Sequence, residues 1–330
     1  MARALRILAL SGDMGSTYLI SKHLQQLWRE EGHAIEVISP VRRRWNPRAI
    51  WHALTHLRDY DVIHTHLGSA SILGRWIAFF LNIPCVATLH GFQRSCHYSG
   101  IRHFTAVSEA VKRHFVTQGI AEEKITVIPN GYDPRITQKP PSLIRTSLPD
   151  QGVGRFVIGS VGSLSPVKRH ESLIEAMATV VAKAPQAMLL IAGSGDLEAQ
   201  LRAKIDALSL NNHVILTGYL TDIAPFYHSL DLYAQASHRE GFCLPLLEAM
   251  ACGVPVISAA NEGPQEFITD GQTGSILPDA SPQHLADAIL RTIADPAPGK
   301  HMAEHAKVAI APMTWHAQSK RYLTLFESIV

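Results

Sequence analysis

The sequence predicts an α/β protein made of two doubly wound parallel-sheet domains that face each other across a cleft. Its 330 residues exceed the roughly 100 to 200 residues of one ordinary domain. Short β-branched apolar runs alternate with helical patterns in two series, and a proline-rich segment separates the series. Ligands of such sheets bind beyond the carboxyl ends of the strands, so the loops after strands are the expected location of functional residues.

The first series begins with a strand and an amphipathic helix that ends near Gly32. The segment 134–154 carries four prolines and little periodicity, which is typical of a linker. The alternation then restarts, and an amphipathic helix is predicted at about 314–330. The predicted strands are 5–10, 34–39, 61–66, 85–90, 103–108 and 125–129, followed by 156–162, 187–193, 213–218, 231–237 and 254–258.

The cysteines and the most apolar stretch of the sequence indicate where in the cell the protein is expected. The four cysteines contain no CxxC pair, which fits a reducing, cytoplasmic compartment. The most apolar stretch, 76–89, is interrupted by Asn82 and Pro84 and is shorter than the ~20 residues needed to cross a bilayer. We therefore expect a cytoplasmic protein that is either soluble or peripheral at the inner face of the membrane.

Charge is distributed unevenly along the chain. Residues 1–150 carry 18 Lys and Arg against 11 Asp and Glu, a net charge of +7, and the remainder carries 12 against 17, a net charge of −5. Much of the positive excess lies in a cluster that could meet anionic lipid headgroups or an anionic acceptor. A solvated basic face is the alternative interpretation. The cluster contains Arg42, Arg43, Arg44 and Trp45.

The stretch HREGFCLPLLEAMACGVPVI, residues 238–257, places a loop and a short helix directly after a predicted strand. Gly241 lets the backbone approach a ligand, while Pro245 and Gly253 suit the first helical position and the position after the last. Amides at a helix start have no helical acceptor and can bind a phosphate. These amides belong to Phe242, Cys243 and Leu244.

Two glutamates in this stretch predict a ligand with hydroxyl groups at both ends. Glu240 lies in the loop and Glu248 lies about one turn into the helix. Each carboxylate can accept two hydrogen bonds, which matches the vicinal hydroxyls of a sugar or a ribose. A diphosphate between two such rings is a nucleotide sugar. The alternative is one acid that stabilises the helix dipole and one solvated glutamate.

Two other loops carry groups that can meet phosphate. In VGSLSPVKRH, Ser163, Lys168 and Arg169 lie between a strand and a helix, and a lysine there can reach a pyrophosphate. An ordinary surface lysine is the alternative. In SGDMGSTY, Gly15 and Ser16 follow the first strand, although the motif is not GxGxxG.

Histidines follow or line two strands of the first series. His90, in TLHGF, ends a strand beside a glycine, from which its side chain could enter the cleft; a structural role is the alternative. His64 and His66 share one face of a strand, but no third ligand is evident nearby, so no zinc site is expected.

These motifs together resemble the family 4 retaining nucleotide-sugar glycosyltransferases, which have the GT-B fold. The most specific motif is EGFCLPLLEAMACGVPVI. It is accompanied, in the expected order over nearly the whole chain, by DVIHTH, TLHGF, AVSEAVK, VIPNGYD and VGSLSPVKRH. The resemblance implies an N-terminal acceptor-side domain, 1–145, onto which the last helix packs back, and a C-terminal donor-binding domain, 146–313.

The resemblance also implies which residues contact each part of the donor. Glu240 matches the glutamate that contacts the transferred sugar, and Glu248 matches the glutamate that holds the ribose diol. Lys168 and the helix-start amides of 242–244 match the groups that hold the diphosphate and stabilise the leaving nucleotide.

Further positions match the family, with one departure from its pattern. Gly15 matches a loop that closes on the donor, His90 a histidine near the sugar, and backbone around Leu220 the edge of the nucleobase. Many members have arginine where this chain has Ser163, so one phosphate contact is either absent or passes to Arg169.

The expected activity is that of a hexosyltransferase. It would move a sugar from a nucleoside diphosphate to a hydroxyl acceptor with retention of configuration, in building cell-envelope polysaccharide or lipopolysaccharide. The expected partners are a nucleotide sugar and a carbohydrate or lipid-linked acceptor, with no nucleic acid, no metal and no other cofactor. A non-catalytic nucleotide-sugar-binding protein is the alternative. A nicotinamide-dependent enzyme ranks behind both because the glycine fingerprint is missing.

Overall fold

The computed structural model describes residues 3–11, 16–38, 60–66, 68–138, 143–146 and 153–330. The chain forms two compact units, Met1–Gly131 with Met313–Val330, and Tyr132–Pro312. The division therefore lies ahead of the proline-rich segment. Arg145 within that segment donates to Asp231 Oδ2 at 2.6 Å and to the Ser229 carbonyl at 2.8 Å, which ties it to the second unit.

The first unit contains a parallel sheet of six strands in the order β2-β1-β3-β4-β5-β6. Its central strands β3 and β4 are buried along their whole length, as strands covered on both faces are. The strands are β1 (Arg6–Leu10), β2 (Ala34–Ile38), β3 (Val62–His66), β4 (Cys85–Leu89), β5 (His103–Ala106) and β6 (Ile125–Val127). The helices that follow its strands are α1 (Ser16–Glu30), α2 (Gly68–Leu81) and α3 (Glu109–Thr117).

The second unit contains another six-stranded parallel sheet, in the order β12-β11-β10-β7-β8-β9. The predicted α/β class with two parallel sheets is confirmed. The strands are β7 (Phe156–Val161), β8 (Ala187–Ala192), β9 (Val214–Gly218), β10 (Leu232–Gln235), β11 (Val256–Ala259) and β12 (Ser275–Leu277). The helices are α4 (Leu143–Thr146), α5 (His170–Lys183), α6 (Glu198–Ala207), α7 (Ala224–Tyr227), α8 (Leu244–Ala251), α9 (Pro282–Ala294) and α10 (Ala297–Ile310).

The strand order of the second sheet reverses between β7 and β10. These two strands are neighbours, with Leu232 paired to Ile158 and Tyr233 to Gly159. Their connections leave in opposite directions, toward β8 on one side and β11 on the other. The loops after β7 and after β10 therefore lie side by side at the carboxyl edge, where doubly wound sheets bind their ligands.

Two details of the second sheet differ from the sequence prediction. β12 was not predicted, because it has only three residues at the edge of the sheet. β11 begins at Val256 rather than at Val254, because the Val254 amide donates to the Ala249 carbonyl at 3.0 Å and so completes the end of α8.

The last helix, α11 (Trp315–Ile329), completes the core of the first unit. Thr314 caps it, since its side chain accepts from the Ala317 amide at 3.2 Å. The Tyr322 hydroxyl lies 3.1 Å from Thr88 Oγ1 on β4. Phe326 packs edge-on against Trp28 of α1, with ring centroids 5.4 Å apart. The apolar side of α11 thus covers the sheet of the first unit, although α11 is far from the strands of that sheet in sequence.

Some sequence expectations fall outside the described residues. They concern Gly15 and the basic cluster of Arg42, Arg43, Arg44 and Trp45. Within the described ranges, no helix is both long and apolar enough to cross a bilayer.

Substitution of the Phe326 side chain tests the role of α11. Phe326→Ala removes a fully buried ring, and we expect it to destabilise the protein by about 3–5 kcal/mol. Phe80→Ala makes the same chemical change at a ring that is 72% exposed, and it should cost about 0.5 kcal/mol or less. Thermal unfolding followed by circular dichroism compares the two. Equal losses would contradict a core role for α11.

Candidate functional site

The loops after β7 and β10 both end in a residue with left-handed backbone. Arg169 has φ 50° and immediately precedes α5, and Cys243 has φ 73° and immediately precedes α8. This conformation costs a residue other than glycine about 1–2 kcal/mol. Strain of this kind is concentrated at functional sites, so the paired loops form the candidate site of the second unit.

An ion pair joins the two loops. Lys168 Nζ lies 2.6 Å from Glu240 Oε1, and only 18% and 11% of the two side chains are exposed. The buried amide of Gln235 also donates to Glu240 Oε1, at 3.3 Å, and accepts from the Tyr233 hydroxyl at 2.7 Å. The carboxylate of Glu240 is thus fixed by a cation from one loop and by an amide from β10. Sequence reasoning missed Gln235, although a glutamine within an apolar strand was a visible signal.

The ion pair maintains the positive charge of Lys168. Burial lowers the pKa of the ammonium, but attraction and hydrogen bonding by Glu240 outweigh burial and raise the pKa. Lys168 therefore remains a cation in a partly desolvated place, where its attraction for an anion is stronger than in water.

Glycines let the loops approach each other. Gly193, with φ 148°, follows β8, and a Cβ there would collide with the Gly162 carbonyl. A Cβ on Gly263 would lie 2.6 Å from the Glu240 carbonyl oxygen and 2.8 Å from the Phe242 nitrogen. Gly263 therefore supports the loop of Glu240, a role that sequence reasoning missed and that only its Gly-Pro dipeptide could have indicated.

Helix α8 begins at Leu244, with Pro245 as its second residue rather than its first. Gly253 follows the helix end with φ 74°, as its predicted place requires. The amides at the helix start have no acceptor within α8. Burial raises the pKa of the Cys243 thiol, which therefore stays protonated and is not a nucleophile.

Glu248 lies on α8 in a different environment from Glu240. Its Oε2 accepts a hydrogen bond from the Tyr227 hydroxyl at 2.7 Å. Burial raises the pKa of the carboxyl to about 7, the hydrogen bond from Tyr227 opposes this shift, and the negative charge of Asp133 adds to it. Glu248 therefore gains or loses its proton near neutrality. Tyr227 lies in the four-residue helix α7, and no sequence pattern pointed to it.

The other predicted residues of the second unit are peripheral to the ion pair. Ser163 and Arg169 are exposed in the loop after β7, and Leu220 is half-buried after β9. The Ser163 hydroxyl lies 3.0 Å from the hydroxyl of Ser165. In the structure as described, neither Ser163 nor Arg169 is hydrogen-bonded to Lys168 or Glu240.

His90 lies in the first unit, directly after β4, and contacts His66 on β3. His90 Nε2 is 2.8 Å from His66 Nδ1, and the two rings stack. Burial lowers the pKa of His90 to about 4, so its ring is neutral at physiological pH. His64 packs beside His66, with ring centroids 4.4 Å apart, so three histidines lie close together on β3 and at the end of β4. The described side chains nevertheless offer no group of three placed to hold a metal ion.

The predicted residues at the start of α1 are only partly described. Ser16 is the first residue of α1, and Gly15 lies outside the described residues.

Comparison with known proteins identifies the family. The model of the group 1 glycosyl transferases matches residues 149–309, and that of glycosyltransferase family 4 matches residues 11–136. The capsular polysaccharide biosynthesis glycosyltransferase CapM of Staphylococcus aureus is 30% identical over 265 residues, 73% of this chain and 70% of CapM. The lipopolysaccharide core biosynthesis mannosyltransferase LpcC of Rhizobium leguminosarum is 30% identical over 287 residues, 84% of this chain and 73% of LpcC.

Solved structures agree on the fold. The Anabaena protein HepE, in complex with UDP and glucose, has a TM-score of 0.84 at 24% identity, covering 98% of this chain and 100% of HepE. The sucrose-phosphate synthase of Thermosynechococcus elongatus has a TM-score of 0.79 at 18% identity, covering 98% of each chain. With family models matched on both halves and relatives aligned over most of their length, the chain belongs to the family 4, group 1 glycosyltransferases of GT-B fold and is an enzyme of the hexosyltransferase type.

Proposed function

We propose that this glycosyltransferase moves a hexose from a nucleoside diphosphate sugar to a hydroxyl of a carbohydrate or lipid-linked acceptor, with retention at the anomeric carbon. The observation that carries the proposal is the buried Lys168–Glu240 ion pair directly before α8, the helix that bears Glu248. A cation, free helix amides and two carboxylates in this order match a diphosphate with a sugar at each end.

The diphosphate binds at the start of α8 in this proposal. Backbone amides of Phe242, Cys243 and Leu244 donate to its oxygens, and the helix dipole favours its negative charge. Lys168 adds a full positive charge. As the bond to the sugar breaks, negative charge grows on the leaving phosphate, and these preorganised groups stabilise it. Charge neutralisation is thus assigned to the protein, without a metal cofactor.

The two glutamates hold opposite ends of the donor. Both described contacts of the Glu240 carboxylate involve Oε1, which leaves Oε2 to accept from hydroxyls of the transferred sugar. Tyr227 occupies Oε2 of Glu248, which leaves Oε1 for the ribose diol. An ionised carboxylate oxygen can accept two hydrogen bonds, as a diol requires.

His90 is assigned to the sugar side of the donor. Its Nε2 is engaged by His66, so Nδ1 is the nitrogen that can meet a sugar hydroxyl. Because the ring is neutral, it does not attract the diphosphate toward the side of the site that binds the sugar. Gly15, Ser16, Ser163, Arg169 and Leu220 complete the proposed donor contacts.

The relatives support the donor class and the pathway. HepE was also solved in complex with UDP-glucose, and an Escherichia coli relative is named a UDP-Gal:alpha-D-GlcNAc-diphosphoundecaprenol galactosyltransferase. The printed names of CapM and LpcC concern capsular polysaccharide and lipopolysaccharide core. We assign this chain to cell-envelope polysaccharide or lipopolysaccharide synthesis, on the cytoplasmic side of the membrane.

One prediction separates the roles of the two glutamates. Glu240→Ala should lower the rate of transfer by about a hundredfold or more, because it removes a contact to the reacting sugar, while nucleotide affinity changes little. Glu248→Ala should weaken nucleotide binding by about tenfold to a hundredfold, the loss of hydrogen bonds to a charged group. Calorimetry with the nucleoside diphosphate that gives the largest thermal shift measures affinity, and product formation measures transfer.

Glu262→Ala is the control for these variants, because Glu262 is an exposed glutamate in the neighbouring loop. It should change neither quantity. Equal loss of nucleotide affinity in Glu240→Ala and Glu248→Ala would contradict the division between sugar and ribose.

Another prediction concerns the pH dependence of donor affinity. Glu248 has a pKa of about 7 in the free protein, and hydrogen bonds from the diol stabilise its ionised form. Affinity for a nucleoside diphosphate sugar should therefore rise from about pH 6 to about pH 8, by up to about tenfold per unit below the pKa, and then level off. Binding near pH 6 should release a proton, which calorimetry in buffers of different ionisation enthalpy detects.

Glu248→Gln keeps the side-chain shape but does not titrate, so its weaker affinity should not vary over this range of pH. A nucleotide sugar is the appropriate ligand, since its phosphates do not titrate there. An unchanged pH profile in Glu248→Gln would assign the titration to another group and contradict the proposed role.

Peripheral attachment to an anionic membrane through Arg42, Arg43, Arg44 and Trp45 is a further part of the proposal. Replacing the three arginines by alanine should reduce co-sedimentation with anionic vesicles, because each basic residue near such a surface contributes about 1 kcal/mol. Unchanged sedimentation would remove this cluster from the proposal.

A further inference from the structure

Three histidines at the centre of the first sheet form a contiguous cluster. His64 and His66 lie two residues apart on β3, so their side chains share one face of the strand. Their rings are 4.4 Å apart, and the ring of His66 stacks on that of His90 with centroids 5.1 Å apart. His64 and His66 are fully buried, whereas His90 is only half-buried. We call these three residues the histidine cluster, of which His90 is the partly exposed member.

All three rings of the histidine cluster are neutral at physiological pH. Burial is the main cause in each case: it lowers the pKa of His64 to about 3, that of His90 to about 4, and that of His66 well below its usual value. A neutral imidazole has one N–H and one bare nitrogen. Each ring therefore carries its single proton on one of two nitrogens, and the hydrogen bond at one nitrogen determines the state of the other.

The contact between His66 and His90 contains one of these protons. His66 Nδ1 lies 2.8 Å from His90 Nε2, and two arrangements satisfy this hydrogen bond. If His90 donates, His66 carries its own proton on Nε2, and Nδ1 of His90 is bare. If His66 donates, Nε2 of His66 is bare, and His90 carries its proton on Nδ1.

Burial distinguishes the two arrangements. Nε2 of His66 is buried and has no hydrogen-bond partner among the described residues. An N–H at this position would lose its hydrogen bond to water without gaining an acceptor, and buried donors in that state are rare in folded proteins. When His66 donates instead, the buried nitrogen is bare and the free N–H belongs to His90. His90 is partly exposed, so water or a ligand can accept from it.

We propose that His66 is a positioning residue, which donates from Nδ1 to His90 Nε2 and thereby holds His90 in the tautomer that carries a proton on Nδ1. The inference deepens the proposed function, on which it rests for the place of His90 beside the transferred sugar. In that place, Nδ1 of His90 donates a hydrogen bond to an oxygen of the sugar.

A donor at His90 complements the carboxylate of Glu240. An ionised carboxylate only accepts hydrogen bonds, whereas a sugar hydroxyl both donates and accepts. Glu240 therefore accepts protons of sugar hydroxyls, and His90 donates to the lone pairs of a sugar oxygen. A bare Nδ1 on His90 would instead compete with Glu240 for the hydroxyl protons.

His64 provides a matched control for His66. It is an equally buried histidine on the same strand. Its Nε2 lies 2.8 Å from Thr88 Oγ1 on β4, in a group of hydroxyls that also joins β5 and α11. In the structure as described, this group makes no hydrogen bond to His90. Loss of the His64 ring therefore removes a buried imidazole without removing the donor to His90.

Nitrogen NMR of the free protein tests the tautomer without any substrate. In protein whose histidines carry the NMR-active nitrogen isotope, protonated and bare ring nitrogens have separate chemical shifts, and the signals of His90 are those that His90→Ala removes. The parent should show His90 with Nδ1 protonated and Nε2 bare. His66→Leu should abolish this preference, and His64→Leu should preserve it. A parent spectrum with His90 protonated on Nε2 would overturn the proposal, whether or not the other variants fold.

Binding measures the consequence for the donor. Calorimetry compares UDP-glucose with UDP, because the ratio of their affinities reports contacts to the sugar rather than to the nucleotide. His66→Leu should lower this ratio by about twofold to tenfold, the loss of one hydrogen bond, while the affinity for UDP is unchanged. His64→Leu should keep the ratio of the parent. An unchanged ratio in His66→Leu would overturn the assigned role.

Combination with His90→Ala separates positioning from a structural effect. In that background His66→Leu should not change the affinity ratio further, because the residue through which His66 acts is absent. His66→Asn should restore both the ratio and the NMR signature, since its side-chain amide has an N–H that can replace Nδ1–H. Additive effects of the two substitutions, or an asparagine variant that behaves as His66→Leu does, would make His66 merely structural and overturn the proposal.

The two readouts also separate this inference from the proposed function. Failure of the parent to bind both UDP and UDP-glucose would count against the proposed donor. The NMR spectrum of the free protein would still decide whether His66 fixes the tautomer of His90.

Discussion

The pairing of β7 with β10 is the constraint on which the candidate site depends. These strands are 70 or more residues apart in sequence, yet they are neighbours where the sheet reverses its order. Only this neighbour relation lets Lys168, after β7, reach Glu240, after β10, at 2.6 Å. The left-handed residues Arg169 and Cys243 connect the two loops to the helices that follow them. Because Gly263 has no side chain, its backbone packs directly against the loop after β10.

Two glutamates on the same stretch of chain acquire different chemical character from their neighbours. Glu240 faces an ammonium and an amide donor, while Glu248 faces a phenol and lies in the field of Asp133. Burial disfavours the charged form of a carboxyl such as that of Glu248. Glu240, in the loop, is therefore held by an ion pair with Lys168. Glu248, on the helix, has a carboxyl whose pKa burial raises to about 7.

The sequence was sufficient for features that depend on local periodicity and backbone chemistry. Eleven strands and the glycine after α8 were predicted because apolar runs and positive φ leave a mark in sequence. Contacts through space leave no such mark: the partnership of Glu248 with Tyr227 and that of His90 with His66 depend on packing between separate elements.

The position of α11 has a consequence for biosynthesis. Trp28 and His64 are covered by Tyr322 and Phe326, which the ribosome makes almost 300 residues after Trp28. During that interval the second unit can complete its own core, because all its strands are contiguous in sequence. The first unit must wait with an uncovered apolar surface, which is the state that aggregates or recruits chaperones. The unit that is translated first is therefore finished last.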